Sequence, residues 1–323
     1  MPRFQSNVIL ARYSHYRIGG PAKAFFRARS ERDLKAAIKA AKAQKMKVFV
    51  LGGGTNLLIG DRGFDGLVVK PELMTLTAKG TTVRVGAGVP MADLLRFAMK
   101  KSLAGLEWAG GLPGTVGGAI RGNAGCFGGE IKDSVVSVRS LDTRTMKVVT
   151  RSRAACRFAY RDSVFKKKDG REIVLDVTLR LAKGDRRAIM DGMSERIVYR
   201  ERNHPLDYPN IGSTFKNVPL ERVHAKGSRA YANAVAHARV RFKGSDFTVK
   251  TDPLPVLSAA KLVGESGLRG VSCGGAMISP KHPNFIVNVM DASAADVRAL
   301  IDLAKAEVRR RFKVQLEEEV QTI

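Results

Sequence analysis

At 323 residues the chain can bury substantial cores and divide into two or three domains, and its 44% hydrophobic and 27% charged content excludes a disordered or fibrous protein. No apolar run reaches the roughly 20 residues that cross a bilayer, and the N-terminal apolar stretch is too short for a secretory signal, so a cytoplasmic protein without membrane insertion is expected. Its 56 Lys and Arg against 30 Asp and Glu leave a formal charge of +26, a field that draws in phosphates; because the charges are spread along the chain and belong to no nucleic-acid module, anionic small molecules compete with nucleic acid as its partners.

Ser30 to Asp33 reads as a capping box, with Leu34, Ile38 and Ala41 on one face of a helix that ends near Lys45. A strand over Lys47 to Leu51 delivers Leu51-Gly52-Gly53-Gly54-Thr55-Asn56-Leu57-Leu58. Consecutive unhindered N–H groups at a strand end can surround a pyrophosphate, and the absence of a following Lys-Ser or Lys-Thr excludes a P-loop. A second α/β region opens near Leu67–Lys70, continues through Thr82–Val85 and enters a helix at Pro90 with Leu94, Leu95 and Ala98 inward. Gly86-Ala87-Gly88 imitates a Rossmann fingerprint, but Met91 stands where the third glycine belongs.

Gly110 to Ala119, with Arg121-Gly122-Asn123-Ala124-Gly125 behind it, is too glycine-dense for a helix or strand interior and implies backbone packed closely on something flat or charged. One such loop would mark only turns. Two, each after an apolar run, point to one large dinucleotide cofactor.

Val135–Leu141, Lys147–Thr150 and Ile173–Leu181 read as strands of an antiparallel or mixed sheet, and Arg200 to Tyr208 as a linker into another domain. Arg239–Lys243 and Phe247–Lys250 flank Gly244-Ser245-Asp246 as a hairpin. Ser293–Asp296 caps a last helix with Val297, Leu300, Ile301, Ala304 and Val308 on one face. Cys126, Cys156 and Cys273 lack metal or disulfide spacing, so reduced thiols and no metal are expected. The histidines form no site: His204 and His282 neighbour prolines, and His15, His224 and His237 stand alone.

The motifs Tyr16–Ala22, Leu51–Leu58, Gly111–Ala119 with Asn123–Gly125, Phe158–Ser163, Gly212–Asn217, Gly267–Gly270, Gly274–Ala276, Asn284–Asn288 and Leu316–Val320 occur in the order found in the UDP-N-acetylenolpyruvoylglucosamine reductase (MurB) family, which the chain resembles over nearly its whole length. The short stretch after Tyr160–Lys166 is similar to the shorter type II subclass.

The resemblance implies an α+β fold: a two-subdomain FAD-binding region of the PCMH/vanillyl-alcohol-oxidase-like kind, residues 1–70 and 71–203, and a C-terminal α/β substrate-binding domain, residues 204–323, whose last strand returns to the active site. It implies that NADPH reduces FAD and that hydride passes to UDP-N-acetylglucosamine enolpyruvate, giving UDP-N-acetylmuramate. The implied FAD contacts are Leu51, Gly52, Gly53, Gly54, Thr55, Asn56, Leu57, Gly111, Pro113, Gly114, Thr115, Gly117, Gly118, Ala119, Asn123 and Gly125; those to substrate are Tyr160, Lys216, Asn217 and Arg269. Arg161 would grip the enolpyruvyl carboxylate, Ser213 donate a proton and Glu319 stabilise the intermediate, with Glu317 the second choice in an ambiguous acidic run.

By the same resemblance a monomer is expected, and residues 218–250 are an insertion. The basic hairpin within it, beside Ser213, would close over the UDP diphosphate. The competing readings are another FAD oxidoreductase of this fold and a basic nucleic-acid-associated protein on a flavoprotein scaffold.

Overall fold

The computed structural model describes residues 2–167, 170–251 and 254–323. The chain forms two compact units, one of Met1–Leu10, Pro21–Gly54 and Gly63–Arg202, the other of Ala11–Gly20, Thr55–Arg62 and Asn203–Ile323.

Among the described residues, the first unit holds a four-stranded sheet in the order Gln5–Ile9, Pro21–Ala28, Phe64–Pro71, Lys47–Val50. The first pair is antiparallel and the others are parallel. Leu67, Val68 and Val69 are fully buried in succession, as a strand covered on both faces requires. Leu67–Lys70 therefore does not open a second region: the unbroken apolar run marks an inner strand of the sheet already begun. Helix α1 (Glu31–Ala43) connects Pro21–Ala28 to Lys47–Val50. Ser30 Oγ accepts the Asp33 N–H at 3.0 Å, and Leu34, Ala37, Ile38 and Ala41 form the buried stripe.

A second sheet of the same unit is antiparallel, in the order Val148–Ser152, Val135–Asp142, Glu172–Arg180, Thr82–Gly86, Leu76–Lys79. Glu172–Arg180 is buried on both sides. Val174, Val177 and Leu179 join the core under α2 (Met91–Lys100) and α3 (Val116–Gly122), whereas Ile173 and Leu175 join the core that contains Leu34 and Ile38 of α1. Two carboxylates on this strand are held by arginines of other strands of the sheet. Arg84 donates twice to Asp176, each time at 3.1 Å, and Arg151 donates to Glu172 at 2.9 and 2.6 Å.

Short α4 (Val164–Lys167) precedes that strand, and α5 (Arg186–Asn203) follows it. The start of the expected linker is thus corrected: Arg200 to Asn203 are the last turn of a helix anchored by buried Ile189 and Met193.

The second unit is built around α7 (Ala259–Glu265) and α8 (Ala294–Phe312), with α6 (Arg229–Ala236) preceding the hairpin. In α8, Ser293 and Asp296 form the capping box, and Val297, Leu300, Ile301, Ala304 and Val308 are buried. Asp61 adds a second cap, accepting the Ala294 N–H at 2.7 Å and the Ala295 N–H at 3.2 Å. Tyr16 is tied in from the other short segment: its hydroxyl donates to Ile286 O at 2.7 Å, and its carbonyl accepts from Asn288 Nδ2 at 3.0 Å.

The expected hairpin forms with a shorter turn. Phe242 pairs with Ser245 and Arg241 with Asp246, so Lys243 and Gly244 alone make the reversal, with φ of 48° and 82°. A two-residue turn with both central residues left-handed matches the twist of its strands. Ser245–Lys250 also pairs with Val256–Leu257, which makes it an inner strand.

Candidate functional site

In the first unit, Leu51 is buried and donates to Val69 O at 2.8 Å, which sets the direction in which Gly52–Gly54 leave the sheet. A Cβ on Gly53 would stand 2.7 Å from Gly114 Cα, so the two glycine segments run backbone against backbone, with no room for a side chain. Gly114 takes φ of 102°, a conformation that needs glycine. Among the described residues, no backbone carbonyl accepts from the N–H of Gly52, Gly53 or Gly54. Beneath them Lys70 Nζ donates to Gly52 O at 3.0 Å, and burial holds its ammonium below the usual lysine value. Available donors, a cradle without side chains and a nearby cation suit an oxygen-rich, flat ligand such as a flavin dinucleotide.

The second segment is laced to the chain before α2. Met91 N–H donates to Gly114 O, Val116 N–H to Val89 O and Gly117 N–H to Ala87 O, each at 2.9 Å. Thr115 caps α3 by accepting from Gly118 N–H at 3.4 Å. The first donors of α3 are therefore occupied, and exposed backbone at Gly111, Pro113 and Gly118 is what this loop offers a ligand.

Several expected cofactor residues lie inward instead. Leu51, Gly54, Leu57, Ala119 and Asn123 are buried, and a Cβ on Gly125 would strike its own hairpin at Glu130 Cγ, 2.6 Å away. Asn123 is fully buried at the C-terminal end of α3. Its Nδ2 donates to Ala159 O at 2.9 Å and its Oδ1 accepts from Lys132 N–H at 3.3 Å, so it holds the turn that carries Arg161 and has no surface for a cofactor.

That turn is closed by reciprocal hydrogen bonds of 3.0 Å between Ala159 and Asp162. Tyr160 and Arg161 occupy its tip. Arg161 has φ of 54°, a left-handed conformation costly for an arginine, and its guanidinium carbon lies 5.4 Å from the Tyr160 ring centroid. Asp162 accepts from Ser163 N–H at 2.9 Å and pairs with Lys167 at 3.2 Å.

In the second unit, the segment bearing Ser213 is pinned on both edges. On one side Asn284, 3% exposed, accepts from Thr214 N–H and Phe215 N–H and donates to Phe215 O, at 2.7, 2.9 and 2.8 Å. On the other, Lys216 N–H donates to Glu317 O at 2.9 Å and Glu319 N–H to Thr214 O at 2.8 Å. This antiparallel pairing sets Glu319 across from Thr214, the residue next to Ser213. Ser213 is half-buried, and among the described residues its hydroxyl takes part in no hydrogen bond. Asn56 supports the same strand, donating from Nδ2 to Glu319 O at 3.0 Å and accepting from Gln321 N–H at 3.2 Å.

Glu317 and Glu318 of the acidic run are held by different cations. Glu317 pairs with Arg222 and, at 3.3 Å, with Lys216; the Arg222 hydrogen bond first, then Lys216, holds its carboxyl below the usual value. For Glu318, burial pushes the carboxyl up, but hydrogen bonds from Lys305 and Arg298 outweigh it and the value falls. Lys216 is thus engaged by Glu317, Asn217 Oδ1 accepts from Ala259 N–H of α7 at 3.2 Å, and Arg269 Nη1 donates to Pro280 O at 2.7 Å.

The histidines are not all solitary. His204, His282 and Phe285 pack together, with ring centroids 5.4, 4.9 and 4.7 Å apart, and burial lowers His282 to a pKa of about 4. Neither this cluster nor the Asn284 clamp follows from composition. Asn284 was visible only as part of a motif, with no role attached to it.

Comparison with known proteins agrees with this geometry. Residues 22–150 match the model of an FAD binding domain, and residues 204–323 that of the UDP-N-acetylenolpyruvoylglucosamine reductase C-terminal domain. The chain is 35% identical to the UDP-N-acetylenolpyruvoylglucosamine reductase of Lachnoclostridium phytofermentans, over 99% of this chain and 93% of that one. It is 33% identical to that of Clostridium novyi, over 99% and 92%. The crystal structure of the Thermus caldophilus reductase superposes with a TM-score of 0.75 at 29% identity, covering 99% of this chain and 98% of the other.

Proposed function

The chain belongs to the UDP-N-acetylenolpyruvoylglucosamine reductase (MurB) family, and we propose that Arg161, Ser213 and Glu319 are the side chains with which it reduces UDP-N-acetylglucosamine enolpyruvate to UDP-N-acetylmuramate for peptidoglycan synthesis. The hydride chemistry, drawn from NADPH and directed at the enolpyruvyl double bond, would be supplied by bound FAD. The N–H groups of Gly52 and Gly53 and the exposed backbone of Gly111, Pro113 and Gly118 are the groups that would hold it.

Hydride addition at one alkene carbon leaves negative charge on the other, which bears the carboxylate. The planar fork of Arg161 accepts that carboxylate in two places and favours the charge moving into it. Ser213 Oγ–H then delivers the proton that completes the reduction. A hydroxyl is a weak acid, but such a carbanion is a strong base, and a placed donor suffices. Glu319 stabilises the intermediate. Tyr160, Lys216, Asn217 and Arg269 are the proposed substrate contacts, Lys216 once it leaves Glu317. The substrate and NADPH are water-soluble nucleotides, so we place the enzyme in the cytoplasm; no helix among the described residues is long and apolar enough to cross a membrane.

The observation that supports this reading most is the double-edged pinning of Gly212–Asn217, which among the described residues leaves the Ser213 hydroxyl without a hydrogen-bond partner. Under anaerobic conditions NADPH should bleach the flavin of wild type and Ser213→Ala alike. On adding the enolpyruvyl sugar, wild type should recolour and form UDP-N-acetylmuramate, the variant about 10²- to 10⁴-fold more slowly. Equal recolouring removes Ser213 from the mechanism, and a wild type that stays bleached removes the substrate.

A further inference from the structure

On α5 the core-facing stripe begins as Ile189 and Met193 and continues, at the same helical spacing, as Arg196 and Arg200. The stripe turns cationic where it reaches the second glycine segment. Gly110 is pressed against this helix: a Cβ there would lie 2.4 Å from Met193 O and 3.0 Å from Arg196 Cβ. Gly111, at φ of 70°, rests on Arg200 Cδ, 3.0 Å from where its Cβ would be.

Arg200 joins two loops that both lie far from it in sequence. Its Nε donates to Gly110 O at 2.8 Å and its Nη2 to Cys126 Sγ at 3.0 Å, while Cys126 Sγ–H donates to Trp108 O at 3.2 Å. The guanidinium carbons of Arg200 and Arg196 lie 5.2 and 5.4 Å from the Phe127 ring centroid, and Tyr199 meets that ring edge-on at 5.2 Å. A fork with one nitrogen on each loop and its face on an aromatic ring has little freedom left, and only arginine has that geometry.

We propose that Arg200 is a positioning residue for the flavin, setting the approach of the Gly110–Gly118 backbone by fastening Gly110 to the loop of Cys126 and Phe127. The proposal rests on the FAD reading above. Arg200 acts through the glycine segment, not on the substrate.

The test is titration of FAD into the deflavinated full-length chain, followed by quenching of flavin fluorescence, with the visible spectrum of the bound flavin and the thermal midpoint of the flavin-free protein read alongside. Arg200→Lys keeps the charge and most of the stem but cannot reach both acceptors. It should weaken FAD binding about tenfold and shift the bound-flavin spectrum, with the flavin-free midpoint unchanged. Wild-type affinity and spectrum in Arg200→Lys overturn the proposal, as does a lowered midpoint with wild-type affinity, which would mark a merely structural contact. Should Arg200→Lys not fold, Cys126→Ala removes one acceptor only: weaker binding supports the proposal and unchanged binding overturns it. A folded wild type that takes up no FAD would instead overturn the family-based reading and this proposal with it.

Discussion

Glu317, Glu318 and Glu319 are identical side chains in succession with three different surroundings. Arg222 and Lys216 hold the first, Arg298 and Lys305 the second, and the backbone of the third is fixed by Thr214 and Asn56. Glu319→Gln should lower the rate of substrate reduction about 10²-fold or more, whereas Glu317→Gln should change it severalfold at most, measured as flavin reoxidation by substrate. The opposite ranking would move the role to Glu317. The sequence could not separate them, because what distinguishes three glutamates is which cations fold against them, Arg222 and Lys216 from roughly a hundred residues away and Arg298 and Lys305 from the preceding helix.

His282 carries the clearest pH dependence. Burial lowers it to about 4 from an ordinary 6.5, so it stays neutral in the folded protein while the unfolded chain takes up a proton near 6.5. Its contribution is complete above about pH 6.5 and is lost as pH falls toward 4, amounting to about 2 kcal/mol by pH 5. Urea unfolding at pH 7.5 and 5.0 should show this drop in wild type and a smaller one in His282→Gln; equal drops would exclude His282 as its source.

Elements whose ends carry local chemistry were legible. α1 and α8 start at Ser30 and Ser293 with the expected apolar stripes buried behind them. α5 was not, because half its inward face is arginine and a hydrophobic period cannot be read from Arg196 and Arg200. Leu67–Lys70 was assigned to the wrong sheet because a buried run states its own strand character and not its neighbours. The hairpin was legible but its turn was expected over three residues, Gly244–Asp246, instead of Lys243 and Gly244, since Gly244 marked the reversal and only pairing fixes which residue accompanies it. Its inner strand packs Phe247, 2% exposed, against Phe312 with centroids 5.7 Å apart. Phe247→Ala should cost about 3 to 5 kcal/mol, visible as a lower denaturant midpoint; a loss under 1 kcal/mol would show the hairpin to be dispensable for packing. Deleting residues 222–248 would remove this strand too, so any role of the hairpin at the UDP diphosphate is better read from its exposed Arg239 and Arg241.

For the whole molecule, a charge of +26 surrounds a chemistry in which cofactor, reductant and substrate are all polyanions. Their capture should be steered, and KM for NADPH and for the enolpyruvyl sugar should rise severalfold between about 20 and 200 mM salt, because screening shortens the field from roughly 20 to 7 Å. A salt-independent KM would assign the charge to something other than capture. The FAD and substrate chemistry was readable because its glycine segments and short motifs are local; the assignment of residues 11–20 and 55–62 to the second unit was not, since nothing in those segments announces partners more than two hundred residues away.

That interleaving sets a schedule for synthesis. Tyr16, Ile18 and Leu58 belong to a core whose other members, Ile286 and Leu316 among them, are translated last. At ordinary elongation rates Leu58 precedes Ile286 by roughly ten to fifty seconds, during which its group of apolar side chains has no native partner. The nascent chain therefore carries a sticky segment ahead of its solution, a natural client for ribosome-associated chaperones, and codon choices that slow elongation between residues 63 and 286 lengthen the exposure and lower the yield of folded enzyme.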